Sequence, residues 1–413
     1  MNYLELKGEA LKLAEKQLSI ASTEDKNAAL KSVAEAINLN RKEILQANEL
    51  DIKNARESNM KEGLVDRLKL DDSRIDGILD GIYTVIKLQD PIWQSNRVWT
   101  LENGLTISKM TVPIGVIGIV YESRPNVTVD AFSLAIKSGN CILLRGSSTA
   151  INSNVALVKS IKEGLKNSPI TETVVEFIED TDRQLVLEML NANKYLDLII
   201  PRGGKDLINF IVGNASVPTL QTGEGNCHIY VDKSGDLNKA LKIVINAKTQ
   251  RVGVCNACET LLVHEAVAAE FLPMVYGAIA DKVELRGDSI TKGIIETLEA
   301  KESDWAEEFL DYILAIKVVA DTDEAINHIN KYGTKHSEAI ITESLINANK
   351  FQRQVDASTV YVNASTRFTD GAEFGFGAEM GISTQKTHAR GPVGLEQLVT
   401  HKYLVMGDGQ IRK

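Results

Sequence analysis

Between Ile114 and Asn214 four short runs of branched apolar residues are each followed by a longer amphipathic stretch. This alternation limits the fold more than any other feature of the chain. "IGVIGIVYE" (114–122), "CILLRG" (141–146), "TVVEFIED" (173–180) and "YLDLIIPRGG" (195–204) read as buried strands. "VTVDAFSLAIKSG", closed by Gly139, "STAINSNVALVKSIKEGLK", "DRQLVLEMLNA" and "KDLINFIVGN" read as the helices between and after them. Strand and helix in strict turn imply right-handed crossovers and a parallel sheet covered on both faces. Ligands of such sheets bind beyond the carboxyl ends of the strands.

The flanks read differently. Residues 1–90 are expected to be helical, with Thr23 as the N-cap of "TEDKNAALKSVAEAINLNRKEILQANELDIKNAR". "RVWTLENGLTISKMTV" (97–112) alternates like a hairpin turning at Asn103-Gly104. A second α/β lobe is expected from "NCHIYVD" (226–232) onward, through helix "LNKALKIVINAKTQR", strand "TLLVH" and helix "EAVAAEFLPMVYGAIAD". The closing stretch "LVTHKYLVMGDGQIR" alternates like strands that could join the hairpin in a small projecting sheet, an expected oligomer contact. At about 100–200 residues per domain, 413 residues suit two or three lobes. A net charge of −10 argues against nucleic acid or an anionic membrane surface as partner. No apolar run approaches the ~18–20 residues of a membrane span. The start, "MNYLELKGEALKLAEKQ", lacks the character of a secretion signal or transit peptide, so a cytoplasmic location is expected.

Two of the four cysteines, Cys255 and Cys258, stand together in "RVGVCNACETLLVH". A structural zinc site needs a second cluster, and Cys141 and Cys227 stand alone, so no metal is expected. A redox pair belongs at a helix start in a small domain. One working thiol beside one packed thiol is the better reading, with two buried structural cysteines as its competitor. Strand "CILLRGSS" delivers Arg145, Ser147 and Ser148 to the expected ligand edge. Strand "LIIPRGGKD" delivers Arg202, Gly203 and Gly204 at a helix N-terminus, where free N–H groups suit a phosphate. A dinucleotide site is implied, although the usual G-x-G-x-x-G fingerprint is absent; "GFGAEMG" (375–381) has the wrong spacing and reads as a loop.

Taken together, a dinucleotide lobe, a second lobe opening on a cysteine and a two-segment arm resemble the aldehyde dehydrogenase superfamily. Within it the chain is similar to the gamma-glutamyl phosphate reductase branch. The segments carrying this are "VPIGVIGIVYESRPNVTVDAFSLAIKSGN", "GEGNCHIYVD", "VCNACETLLVH", "INKYGTKHSEAIIT" and "STRFTDGAEFGFGAEMGISTQKTHARGPVGLEQL". The resemblance implies an α/β fold with a Rossmann-type NADPH-binding domain (1–96 and 112–228), a catalytic α/β domain (229–386) and an oligomerisation arm (97–111 and 387–413). It implies reduction of L-glutamyl 5-phosphate with NADPH to L-glutamate 5-semialdehyde, through a thioester on Cys255. Cys258 is then a bystander on the helical continuation. Asn126 is implied as an oxyanion donor, with a helix N-cap as its competing role. Glu308 is implied to hold the nicotinamide ribose, against an ordinary helix-surface charge. Arg367, Phe368, His388 and Arg390 are implied at the substrate mouth, against surface ion pairs. Tyr332, Lys335 and His336 sit in a family signature and are read as structural support. Ser148 stands where many NAD-using relatives carry glutamate, which favours NADPH, and Arg145 could meet the 2′-phosphate. Glu224 in "TGEGN" is displaced from the position of the hydrolytic relatives' base. The implied partners are a second copy of the chain and a glutamate kinase. Two rival functions stay open: a hydrolytic NAD-dependent aldehyde dehydrogenase, and a non-catalytic partner of a glutamate kinase.

Overall fold

The computed structural model describes residues 2–412. They form two compact units: one runs up to Gln221 and includes 375–381 and the chain from Val393, the other is Thr222–Phe374 with Ile382–Pro392.

The first unit opens with five helices, α1 (Tyr3–Leu18), α2 (Thr23–Leu39), α3 (Arg41–Glu57), α4 (Glu62–Leu68) and α5 (Asp72–Lys87). The expected cap of α2 is off by one residue. Ser22 is the N-cap, in a reciprocal box with Asp25, because its hydroxyl reaches the Asp25 amide at 3.1 Å. Thr23 is the first helical residue, and its hydroxyl donates to Asp90 at 2.8 Å. Strands β1 (Ser95–Thr100) and β2 (Thr106–Pro113) form the hairpin, and Gly104 takes the left-handed backbone (φ +87°) that its turn requires. Then come β3 (Val116–Tyr121), α6 (Asn126–Lys137), β4 (Cys141–Gly146), α7 (Ile151–Lys166), β5 (Val175–Phe177), α8 (Arg183–Leu190), β6 (Leu198–Arg202) and α9 (Lys205–Asn214). The four later strands make a parallel sheet in the order β5-β4-β3-β6. Every residue of β3 and β4 is buried, as helices on both faces demand.

The second unit repeats the logic: β7 (Cys227–Val231), α10 (Leu237–Thr249), β8 (Cys258–His264), α11 (Glu265–Ile279), β9 (Glu284–Gly287), α12 (Ser289–Lys292), β10 (Leu298–Glu299), β11 (Ile313–Val319), α13 (Thr322–Tyr332), β12 (Ser337–Ile341), α14 (Leu345–Gln354) and β13 (Thr359–Val362). Seven strands pair in the order β10-β9-β11-β8-β7-β12-β13, each pair parallel. The side-chain period of two divides their core. Ile229, Val231, Leu261 and Val263 pack on α10 and α11, while Tyr230, Leu262 and Ile340 pack on α13 and α14. A short antiparallel pair, β14 (Ile382–Ser383) and β15 (Gly391–Pro392), closes the loop 384–390. The last strand, β16 (Val399–Met406), belongs to the first unit and pairs antiparallel with β2, completing the three-stranded sheet β1-β2-β16. No helix among the described residues is long and apolar enough to cross a membrane.

The parallel register sets the position of the site. Cys258 of β8 lies opposite Cys227 of β7, His228 opposite Glu338 of β12, and Ser337 opposite Thr359 of β13. The first residues of these four strands therefore form a row along one edge of the sheet. Whatever immediately precedes each strand gathers at its amino-terminal edge.

Candidate active site

Cys255 lies in the turn between α10 and β8, and it is the one cysteine of the four that is partly exposed. Cys258 is not on a helical continuation: it begins β8 and is fully buried. The run of apolar and β-branched residues after it pairs with β7 and β11, and this overrides any helical tendency. Burial pushes the Cys258 thiol up to about 12, against the pull of Lys248.

The turn is held from below and from the side. The buried Cys227 thiol donates to the Cys255 carbonyl at 3.2 Å. A Cβ at Gly225 would stand 1.3 Å from the same carbonyl oxygen, so only glycine permits the "TGEGN" loop to lie here. The Gly225 amide in turn donates to the Glu308 carboxylate at 2.7 Å. Glu308 lies in the irregular segment before β11, not on a helix, so the helix-surface reading does not apply. Glu224, beside Gly225, is partly buried. The buried Asn256 amide donates to the carbonyls of Arg367 (3.3 Å) and Thr369 (2.9 Å), and Thr366 donates back to the Asn256 carbonyl at 2.8 Å. Arg367 is thus tied to the cysteine turn. Its Nε donates to Gln250 at 3.0 Å. Burial and then the neighbouring Arg251 charge pull its guanidinium below its ordinary range, while Cys255 acts in the opposite sense. Arg367, with the charge of Arg251 beside it, presents positive charge at the cysteine turn to any anion that approaches.

The other mouth residues are more scattered. Phe368 is 49% exposed beside Arg367. His388 is exposed on the loop 384–390, whereas Arg390 on the same loop is paired with Asp356 at 2.8 Å. Lys335 also faces Asp356, at 3.5 Å. Tyr332 donates to Glu302, and His336 is buried with Nδ1 2.7 Å from the Ser337 hydroxyl.

In the first unit the named residues lie at the carboxyl edge of the four-stranded sheet. Ser148 is exposed after β4, and the Ser147 and Thr149 hydroxyls lie 2.6 Å apart. Arg145 is only 5% exposed and donates to the Gly146 carbonyl, so its guanidinium lies beneath this edge. Asn126 is not an N-cap. It is the first residue of α6 after Pro125, and its amide donates to Asp130 at 2.8 Å. Burial raises the Asp130 carboxyl to about 6, opposed by Asn126 and Arg202. At the start of α9 the Gly204 amide already donates to the Glu122 carboxylate at 2.9 Å, with Gly203 packed against it. A dinucleotide fits the neutral hydroxyls after β4. At α9 its phosphate would meet a carboxylate bonded to the expected amide.

Sequence reasoning did not find Gly225, Arg251, Cys227 or Glu122. Their partners lie across loops with no spacing signal; Gly225 and Glu308 are 83 residues apart. Among the described residues no cluster of three or more His, Cys, Asp or Glu side chains is placed to hold a metal ion.

Residues 8–286 and 274–388 match the aldehyde dehydrogenase family. The chain is 64% identical to a gamma-glutamyl phosphate reductase of Alkaliphilus oremlandii over 413 residues, covering 100% of both chains. It is 57% identical to that of Thermotoga maritima over 395 residues, 95% of each. The crystal structure of the Thermotoga maritima gamma-glutamyl phosphate reductase superposes with a TM-score of 0.98 at 55% identity, covering 100% of both chains. An acetylating aldehyde dehydrogenase from Geobacillus thermoglucosidasius shares the fold at 17% identity, with a TM-score of 0.71 over 99% of this chain and 97% of that one.

Proposed function

Because the chain belongs to the gamma-glutamyl phosphate reductases of the aldehyde dehydrogenase family, we propose that it reduces L-glutamyl 5-phosphate with NADPH to L-glutamate 5-semialdehyde and phosphate, in proline biosynthesis, with Cys255 as nucleophile. The observation that carries the assignment of the nucleophile is exposure: three of the four thiols are buried and Cys255 is not.

The Cys255 thiolate attacks the acyl carbon, the bond to phosphate breaks with its electron pair on the leaving oxygen, and a thioester remains. Family membership implies a nicotinamide cofactor, which when bound would supply the hydride that reduces the thioester on Cys255. The resulting oxyanion collapses, the carbon–sulfur bond breaks, and aldehyde leaves with Cys255 again a thiolate. Each oxyanion needs donors, and the Cys255 amide and Asn126 are the proposed ones. Arg367 is proposed to favour the thiolate, and Arg367 with Arg251 to attract the acyl phosphate. Glu308, through Gly225, fixes the loop beneath the nucleophile and is proposed to meet the nicotinamide ribose. Ser147 and Ser148 are assigned to the adenosine end, with Arg145 as the buried charge beneath them, and Arg202 with Gly203 and Gly204 to the diphosphate. That last contact requires Glu122 to release the Gly204 amide. The exposed sheet β1-β2-β16 is assigned as the contact between copies.

The test is the reverse reaction. NADP reduction on glutamate 5-semialdehyde should depend on added phosphate and saturate with it. Turnover that ignores phosphate and yields free glutamate would refute the proposal in favour of a hydrolytic enzyme.

A further inference from the structure

Four charged side chains converge on the amino-terminal edge of the second unit's sheet, two to three strand positions from the cysteine turn. Asp356 precedes β13 by three residues, and Lys335 precedes β12 by two. The loop closed by β14 and β15 brings Lys386 and Arg390 onto the same carboxylate. The three nitrogens lie 3.5 Å (Lys335), 3.0 Å (Lys386) and 2.8 Å (Arg390) from Asp356 oxygens. One carboxylate against three cations leaves two positive charges over.

Two further features set this cluster apart. Lys335 is held at φ +66°, a backbone region that residues with a Cβ seldom adopt. A turn serving only to join α13 to β12 would favour glycine or asparagine there. The Arg390 Nε is buried and has no hydrogen-bond partner among the described residues. The two cations nearest Asp356 keep its carboxyl at about 2, so it stays ionised wherever the enzyme works.

We propose that Asp356, Lys335, Lys386 and Arg390 form the subsite for the amino-acid end of the substrate, Asp356 taking the α-ammonium and the surplus cations the α-carboxylate. This rests on the assignment of Cys255 as nucleophile. A zwitterion needs one anionic and at least one cationic partner side by side, and this cluster presents both. In the sheet β12, which Lys335 precedes, is two places from β8, about 10 Å, and β13, which Asp356 precedes, is three places, about 14 Å. The α-carbon of a glutamyl group stands roughly 4 Å from its acyl carbon, and the long stems of lysine and arginine cover the remainder. Arg367 and Arg251 are then left to the phosphoryl end.

The experiment compares three aldehydes in phosphate-dependent oxidation: glutamate 5-semialdehyde, 5-oxopentanoate, which lacks the amino group, and pentanal, which lacks both charged groups. For Lys386→Gln and Arg390→Gln, the ratio of kcat/KM for glutamate 5-semialdehyde to that for pentanal should fall about tenfold each, mainly through KM. For Asp356→Asn, the preference for glutamate 5-semialdehyde over 5-oxopentanoate should narrow by about the same factor. Equal losses on all three aldehydes would mean that the cluster only supports the loop, and unchanged ratios would also overturn the proposal. Cys255→Ala separates the two assignments. If it retains turnover while the Arg390→Gln ratio still falls, the nucleophile is misassigned and the subsite stands.

Discussion

Residue 225 has no room for a side chain, and its neighbour is the carbonyl of the proposed nucleophile. Gly225→Ala must therefore shift the cysteine turn. A misplacement of about 1 Å costs on the order of a hundredfold in kcat, and overpacking adds about 1–3 kcal/mol of instability; steady-state kinetics and a melting curve read the two effects separately. Cys258→Ala removes one buried thiol from β8 and should keep most activity at a cost of about 1 kcal/mol, whereas Cys255→Ala should abolish turnover. At the end of β4, Ser148→Glu should weaken NADPH and favour NADH, read by equilibrium binding of each cofactor; an unchanged preference would remove Ser148 from the adenosine end. At this scale the position of Cys255, in the loop after the second lobe's first helix, was legible in the sequence. Its supports were not, since Gly225, Glu308 and Cys227 reach it through contacts that leave no local pattern. Thr23 missed its role for a smaller reason: Ser22 and Thr23 are both good caps, and only geometry chooses between them.

The elements themselves were well marked by periodicity, and the four strands of the first sheet lie within the runs that suggested them. The start of β8 is not marked by periodicity because only two residues separate Cys255, the proposed nucleophile, from the strand. Burial within these elements also sets a pH dependence. His328 of α13 packs on His228, Trp305 and Tyr332, and its Nε2 is buried without a partner among the described residues. Burial, followed by the charge of His228, depresses it from 6.5 to about 3. The unfolded chain then binds the extra proton between those values, so stability is full above about pH 6.5 and falls as pH drops toward about 3. The slope is about 1.4 kcal/mol per pH unit for one group. Glu259 of β8, raised to about 7 by burial, acts in the opposite direction as pH rises from about 4.5 to 7. A comparison of wild type with His328→Phe cancels that contribution. Below pH 6.5 the wild type should lose stability more steeply than the variant; parallel curves would show that His328 does not titrate in this way.

Over the whole molecule, two parallel sheets use opposite edges. In the first unit the residues assigned to cofactor lie at the carboxyl ends of β4 and β6, where alternating folds generally bind ligands. In the second, Cys255, Gly225 and Asp356 precede β8, β7 and β13, so the proposed chemistry sits at the amino ends. No periodicity could announce this, because the choice depends on which loops carry reactive groups and on the register that aligns Cys227, Cys258, Ser337 and Thr359. Such a site need not activate water. A carboxylate doing so would drain the thioester to free glutamate, and Glu224→Gln should therefore keep phosphate-dependent oxidation within about tenfold, roughly 1.4 kcal/mol of barrier. The most direct measurement is peptide mapping after incubation with glutamate 5-semialdehyde and NADP without phosphate. The thioester then forms and has no phosphate to release it, so a glutamyl adduct should accumulate on Cys255 and disappear when phosphate is added. An adduct on Cys227 or Cys258, or steady turnover with no adduct at all, would contradict the account.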